Sequence, residues 1–218
     1  MSLSPVWTPA RAVAVLLAFA LLGTGVLAYT YEITRSRIEH NEELAKLSLL
    51  AQTLPRDLYD NNPVEDTITV PPDDLLGTSD ALPAYIATKH GRATAVVLQA
   101  IAPDGYGGPI DLLVAVRADG EITGVRVVSE HETPGLGDYI EITRSPWITL
   151  FDKTSLSRIP DDGWRVQKDG GVFAYRTGAT ITPRAVVKAV HHALLYFREH
   201  RQALLAPPKR LEAAHERH

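Results

Sequence analysis

Three hydroxyl side chains lie close together in the stretch RTGATITPR, which runs from Arg176 to Arg184. A threonine hydroxyl can carry a phosphoester, but it is a poor nucleophile unless a base activates it. Thr182 precedes Pro183, a pair that is typical of a helix start in which the hydroxyl caps a backbone amide. The turn that leads into this predicted helix comprises Thr177, Gly178, Ala179 and Thr180.

The start of this helix has the features of an anion site. Its first amides have no partner within the helix, and the helix dipole is positive there, so both attract a phosphate. Gly178 would let a bulky group approach the backbone, and Arg176 and Arg184 flank the turn. On the residues alone, the favoured interpretation is a tight turn in which the threonines only cap and pack.

The elements around this turn predict an α+β fold, an antiparallel β-sheet with packed helices. Aliphatic runs over 94–101 and 110–116 predict strands, and Asp119-Gly120 predicts a hairpin turn with positive φ at both residues. A second hairpin is predicted at 168–171, between strands at 164–166 and 172–175. Ser145-Pro146 predicts a helix start. The helix that follows Thr182 should bury Val186, Val190, Ala193, Leu194 and Phe197.

The amino-terminal part of the chain predicts a membrane anchor. Residues 12–31 contain no charge, and twenty helical residues span about the thickness of a bilayer's hydrocarbon core. A cleavable signal peptide, with a cleavage site at residues 26–28, is the alternative, but such apolar cores are usually shorter. A membrane-proximal helix follows, with Leu44, Leu47, Leu50 and Leu54 on one face and an end before Pro55.

Composition excludes several classes of protein. The chain of 218 residues has no cysteine, so it has no disulfide, iron–sulfur cluster or thiol nucleophile. Its net charge is −4 and its basic residues do not form a stripe with aromatics, which argues against a nucleic-acid partner. His131 and the pair His191-His192 lack the spacing of metal ligands, so no metal site is predicted. Any redox chemistry must use a bound organic cofactor.

Five segments occur in the order found in a known family: APDGYGGPI, HETPGLGD, WITLF, KDGG and TGATITPRAV. Together they resemble the FMN-binding G subunit of the Rnf ion-translocating electron transport complex. The similarity covers most of the chain after Lys46. The last segment contains the family's flavinylation motif, Ser/Thr-Gly-Ala-Thr. An acidic residue usually stands three positions before this motif, and Ala174 occupies that position here.

The resemblance implies a covalent cofactor. Thr180 would bear FMN through a phosphoester, added by a separate flavin transferase, while neighbouring residues shape the turn. In the HETPGLG loop, Glu132 and Thr133 could hydrogen-bond the flavin or a partner, Gly137 would allow close approach, and Leu136 could cover a ring face. Lys168 is a further candidate, as a charge near the flavin. An exposed connecting loop is the alternative interpretation of HETPGLG.

The resemblance also implies a location and partners. The protein would be a single-pass protein of the bacterial inner membrane with its carboxy-terminal domain in the periplasm. It would relay electrons within a complex that couples NADH and ferredoxin oxidoreduction to Na⁺ or H⁺ movement, without independent turnover. Two alternatives remain: the FMN-carrying C subunit of a sodium-pumping NADH:quinone reductase, and an anchored assembly or sensing module without flavin.

The sequence thus predicts six segments. They are a cytoplasmic amino terminus 1–11, a transmembrane helix 12–31, a membrane-proximal helix 32–58, an acidic linker 59–80 with one short strand at 67–70, a periplasmic FMN-binding domain 81–200 and a polar tail 201–218.

Overall fold

A computed structural model describes residues 9–206, with the side chains of 9, 10 and 36–47 left aside. Two helices and five strands form the regular structure, and short 3₁₀ helices connect the last strand to the second helix. The elements are α1 Pro9–Thr53, β1 Thr67–Val70, β2 Leu82–Lys89, β3 Arg92–Ala102, β4 Ile110–Arg117, β5 Ile122–Ser129 and α2 Ile181–Leu204. The predicted segment 1–11 and the predicted tail 201–218 lie largely outside the described residues, although α2 extends to Leu204.

Helix α1 is one uninterrupted element. Its part from Arg11 to Arg35 is long and apolar enough to cross a membrane, with a mean hydropathy of 2.3. The predicted transmembrane and membrane-proximal helices, 12–31 and 32–58, form one continuous helix, which ends at Thr53, before Pro55 as expected. No glycine or proline interrupts residues 32–53, so nothing ends the helix earlier. The predicted apolar face includes Leu44 and Leu47, whose side chains lie outside the described residues.

The chain divides into two compact units at Lys46 and Leu47. In the second unit, the five strands form one antiparallel sheet in sequence order, β1 to β5. Strand β2 was not predicted, whereas β1 confirms the short strand expected at 67–70 within the acidic linker. The turn between β4 and β5 is confirmed at Asp119-Gly120, but only Gly120 has positive φ. Asp119 instead accepts a hydrogen bond from the Glu121 N–H at 3.1 Å.

Helical residues of this unit pack on both faces of the sheet: α2 on one face, and the end of α1, after Leu47, on the other. All five predicted core residues of α2 are buried, among them Val186, Val190 and Phe197, and α2 packs on β3 and β4. On the other face, Leu50 and Leu54 pack against a small apolar cluster that includes Leu113. The structure therefore confirms the predicted α+β class.

A row of aromatic side chains in edge-to-face or tilted contact lies in the segment between β5 and α2. Phe151 is fully buried, 5.6 Å from the ring centroid of Trp147 and 4.8 Å from that of Phe173. The predicted helix start at Ser145 is confirmed, because its Oγ accepts a hydrogen bond from the Trp147 N–H at 3.1 Å. The predicted hairpin at 168–171 is wrong: a 3₁₀ turn over Gln167–Asp169 forms there.

A hairpin requires antiparallel strands. Val166 and Phe173 pair instead in an isolated parallel bridge, so the segment between them forms a 3₁₀ turn. The Gln167 N–H donates to the Phe173 carbonyl at 2.8 Å. Gly170, with φ of 85°, ends the 3₁₀ turn in the left-handed region that glycine adopts without strain. The strands predicted on either side therefore reduce to single bridging residues.

His191 on α2 provides a pH-dependent contribution to stability. Its ring stacks on Trp164, with centroids 5.3 Å apart. Burial lowers the pKa of His191, and Asp161, 3.4 Å from Nε2, only partly opposes this. Because the pKa is lower in the folded state, the associated stability is present above the ordinary histidine pKa and is lost as pH falls.

His191→Phe keeps an aromatic ring on Trp164 but cannot take up a proton. We therefore expect this variant to lose less stability than the wild type when the pH falls from 7.5 to 5.5, a range that spans the ordinary histidine pKa of about 6.5. Melting temperatures of both proteins across this range measure the difference. Equal slopes would show that the imidazole does not titrate in this environment.

Candidate functional site

The turn before α2 is held by hydrogen bonds on both sides. The Ala179 N–H donates to the Arg176 carbonyl at 3.1 Å, which closes the turn around Gly178. The Trp147 Nε1–H donates to the Ala174 carbonyl at 2.6 Å. This bond fixes the backbone at Ala174, two residues before Arg176.

Arg176 and Tyr139 form a second support beneath the turn. The Arg176 N–H donates to the Tyr139 hydroxyl at 3.4 Å, and the guanidinium carbon lies 4.5 Å from the centre of the tyrosine ring. Burial raises the pKa of Tyr139, so the hydroxyl stays neutral at physiological pH. Two buried aromatic side chains, Tyr139 and Trp147, therefore hold the backbone before the turn through hydrogen bonds.

Gly178 has a φ of 92°, in the left-handed region that glycine adopts without strain. A Cβ at this residue would meet nothing within 4 Å. Any cost of a side chain therefore comes from backbone strain and not from crowding inside the protein. The open space also leaves the backbone accessible from outside.

We expect Gly178→Ala to lower the free energy of unfolding by about 1–2 kcal/mol through its positive φ. Gly91→Ala in the turn between β2 and β3 is a matched control, because it also has positive φ and open space. Urea denaturation measures both. A stability loss at Gly91 without one at Gly178 would mean that the Gly178 turn relaxes to negative φ.

Thr182 does not cap α2, contrary to the prediction. The helix begins at Ile181, two residues before the predicted first residue Pro183, and no side chain caps it. Thr182 is only 1% exposed, and its hydroxyl donates to Glu132 Oε2 at 2.6 Å. Glu132 lies 50 residues earlier in the chain, so the partner of this hydroxyl is a distant carboxylate and not an amide of its own helix.

A cavity of about 300 Å³ opens at the start of α2. Its wall includes eight predicted site residues: Glu132, Thr133, Leu136, Gly137, Gly178, Ala179, Thr180 and Thr182. Two residues that were not predicted complete it, Tyr106 and Ile181. Thr177 and Lys168 do not line the cavity. Tyr106 lies in a glycine-rich loop far away in sequence, and only its presence in the PDGYGG segment could have indicated it.

The loop from Thr133 to Asp138 forms one side of the cavity. The Leu136 and Gly137 N–H groups both donate to the Thr133 carbonyl at 3.0 Å, and the Gly135 N–H donates to Asp138 Oδ1 at 2.9 Å. This compact turn holds the Leu136 side chain half exposed. The loop is therefore an ordered wall with an apolar side chain on its rim.

An exposed ion pair lies at the first turn of α2 and does not line the cavity. Arg184 donates two hydrogen bonds to Asp169, at 2.5 and 2.6 Å, and these bonds lower the pKa of Asp169. Lys168 lies beside this pair in the exposed 3₁₀ turn. Within residues 9–206, no group of three or more metal-ligating side chains comes together.

Thr180 has a free hydroxyl on the cavity wall. Its side chain is half-buried on the cavity wall, directly before the first turn of α2. None of the hydrogen bonds among the described residues involves its Oγ1. The N–H groups of Ile181 and Thr182 belong to the first turn and have no partner within the helix. The arrangement thus combines a free hydroxyl with donors for an anion.

Comparison with known proteins agrees with this geometry. An FMN-binding domain family matches residues 105–195, and the RnfG N-terminal region matches residues 8–53. The G subunit of the ion-translocating oxidoreductase complex of Pseudomonas aeruginosa is 50% identical over 198 residues, covering 91% of this chain and 92% of the relative. The corresponding G subunits of Shewanella piezotolerans and Vibrio atlanticus are 45% and 46% identical, covering 91% and 89% of this chain and 93% and 92% of their own.

The antiparallel sheet, the cavity and these matches define an FMN-binding domain that follows an apolar helix. The chain belongs to the RnfG family, the G subunits of ion-translocating oxidoreductase complexes.

The residues of the cavity fit an FMN group. The first turn of α2 offers amide donors for a phosphate, and the backbone at Gly178 is open to a close approach. Tyr106, Leu136 and Ile181 are exposed apolar or aromatic side chains on the wall of the same cavity, suited to a flat ring. The volume is at the lower end of the range for ligand sites, roughly 300–1,000 Å³, so the ring system would extend towards solvent.

Proposed function

We propose that this protein is a membrane-anchored flavoprotein subunit that relays electrons through FMN attached to Thr180 by a phosphoester. It would do so in an Rnf-type complex that couples NADH and ferredoxin electron transfer to Na⁺ or H⁺ translocation. The observation that carries the proposal is the unbonded Thr180 hydroxyl on the cavity wall, next to the first turn of α2.

The other two threonines of the turn are less suitable acceptors. Thr177 is exposed and does not line the cavity. Thr182 is buried, and its hydroxyl already donates to a carboxylate. Thr180 alone among the three combines accessibility, a free hydroxyl and a place on the cavity wall.

The residues of the cavity have separate roles in this proposal. The amides of Ile181 and Thr182 hold the phosphate, and Leu136 and Tyr106 flank the ring system. FMN, when attached, supplies the one- and two-electron chemistry, while the protein determines its position and its surroundings. A threonine hydroxyl is a poor nucleophile unless a base activates it, so a separate flavin transferase that uses a flavin dinucleotide would form the bond.

Covalent flavin is the direct test. Protein produced together with a flavin transferase should keep yellow-green fluorescence on a denaturing gel, because a phosphoester survives unfolding. Its mass should increase by that of FMN less one water, and the increase should map to the peptide that contains Thr180. Loss of all fluorescence on denaturation, despite an active transferase, would contradict covalent attachment.

We further propose that α1 anchors the protein in the inner membrane, with the amino terminus in the cytoplasm and the domain in the periplasm. The span Arg11–Arg35 supports a single crossing, and covalent attachment suits a compartment in which lost FMN is not readily replaced. The other components of the complex, the flavin transferase and the lipid bilayer are the expected partners.

Alkaline phosphatase fused after His218 should therefore be active in cells, because this enzyme folds only in the periplasm, and intact mass should show that the anchor is retained. A green fluorescent protein fused at the same place provides the opposite control. Fluorescence without phosphatase activity, or a mature chain that begins at Tyr29, would contradict this topology.

A further inference from the structure

Glu132 joins three segments of the site through one buried carboxylate. The residue is 5% exposed. Its Oε1 accepts a hydrogen bond from the Gly107 N–H at 3.1 Å, and its Oε2 accepts one from the Thr182 hydroxyl at 2.6 Å. Gly107 belongs to the β3–β4 loop, and Thr182 belongs to the first turn of α2. The carboxylate therefore connects both to the loop that follows β5.

Three glycines allow the backbone to pass close to Glu132 and to the residue before it. A Cβ at Gly137 would lie 2.6 Å from Glu132 Oε2, and one at Gly105 would lie 2.9 Å from Oε1. A Cβ at Gly107 would lie 1.8 Å from the carbonyl oxygen of His131, the residue before Glu132. Only glycine permits these approaches, so the packing around Glu132 depends on three separate glycines.

The β3–β4 loop has little else to hold it over the cavity. It contains three glycines, which lose much conformational entropy on ordering, and its Tyr106 side chain is 68% exposed. The other anchor is the ion pair between Asp104 and Lys188, at 2.7 Å. Both partners are exposed, and pairs of this kind contribute little to stability.

We propose that Glu132 is a positioning residue that sets the separation between the Tyr106 loop and the first turn of α2, and thereby the width of the cavity beside Thr180. The identity of the ligand in this proposal rests on the proposed function. Glu132 acts through Gly107 and Thr182, and it takes no part in forming or breaking a bond.

The first test uses the full-length protein without flavin. Hydrogen exchange at the Gly107 amide should accelerate in Glu132→Ala, because its acceptor is lost. Glu132→Gln should keep slow exchange, since its amide oxygen can accept the same bond and its amide nitrogen can donate to Thr182. Glu199→Gln is the matched control, because Glu199 is an exposed glutamate on α2 outside the site. It should not change the exchange rate at Gly107.

The second test measures the rate at which flavin transferase and FAD attach FMN. We expect roughly a tenfold to hundredfold loss in Glu132→Ala and in Thr182→Val, because a small misplacement of a reacting group has effects of this size. The double variant should be no slower than the slower single variant, since both remove the same link. Thr182→Ser, which keeps the hydroxyl, should retain most of the rate.

Unchanged exchange at Gly107 in Glu132→Ala would overturn the proposal, and so would losses that multiply in the double variant. If the wild type accepts no flavin but Gly107 exchange responds as described, the proposed function fails while the positioning role of Glu132 is supported.

Discussion

Thr180→Val is expected to abolish covalent flavin while the domain remains folded. Valine is close in shape to threonine, and the Thr180 hydroxyl makes no hydrogen bond among the described residues, so its removal should change the free energy of unfolding by less than about 0.5 kcal/mol. The fluorescence on a denaturing gel and the mass increase should both disappear. The melting temperature of the flavin-free protein should stay at the wild-type value.

Two companion variants make this result specific to one oxygen atom. Thr180→Ser keeps a hydroxyl at the same place and should retain covalent flavin. Thr177→Ala removes an exposed hydroxyl that does not line the cavity, so it should also retain the flavin. Flavin mapped to Thr177 or Thr182 in any of these proteins would contradict the assignment.

Phe151→Ala is expected to cause the largest loss of stability. The side chain is completely buried between Trp147 and Phe173, and truncation of a buried phenylalanine costs about 3–5 kcal/mol, through lost burial and the cavity left behind. Urea denaturation of the full-length protein in detergent, followed by near-ultraviolet circular dichroism, measures this loss.

Leu150→Ala is the neighbouring control, because Leu150 is 42% exposed and should cost about 1 kcal/mol. The same experiment tests the link between the aromatic row and the site, since Trp147 holds the Ala174 carbonyl. A Phe151→Ala protein that loses less than Leu150→Ala would show that the row repacks without a cavity.

The sheet and α2 were predictable because their signals are local. An aliphatic run and the Asp119-Gly120 turn indicate β4 and β5 within a few residues, and the spacing of apolar residues indicates α2. Strand β2 was missed because it begins with Leu82-Pro83 and follows an acidic stretch that reads as a linker. Its pairing with β3 provides the reason for its formation, and that pairing is not visible in the strand's own sequence.

The candidate site was predictable only in part for the same reason. Gly178 and Thr180 lie in one short motif, and the motif indicates a turn before a helix. The bond between Thr182 and Glu132 joins residues 50 positions apart, so no local pattern could distinguish it from a helix cap. Tyr106 likewise reaches the cavity only because the β3–β4 loop folds towards α2.

The last turn of α1 determines where the chain could be shortened to obtain a soluble domain. Leu50 and Leu54 are almost completely buried against Ala87 and Leu113, and a Cβ at Gly124 would lie 2.9 Å from the Thr53 Cα. A fragment that starts at the acidic stretch would leave this apolar face of the sheet bare and prone to self-association. A fragment that starts at Leu47, after the membrane-crossing segment, would keep the face covered and remain in solution.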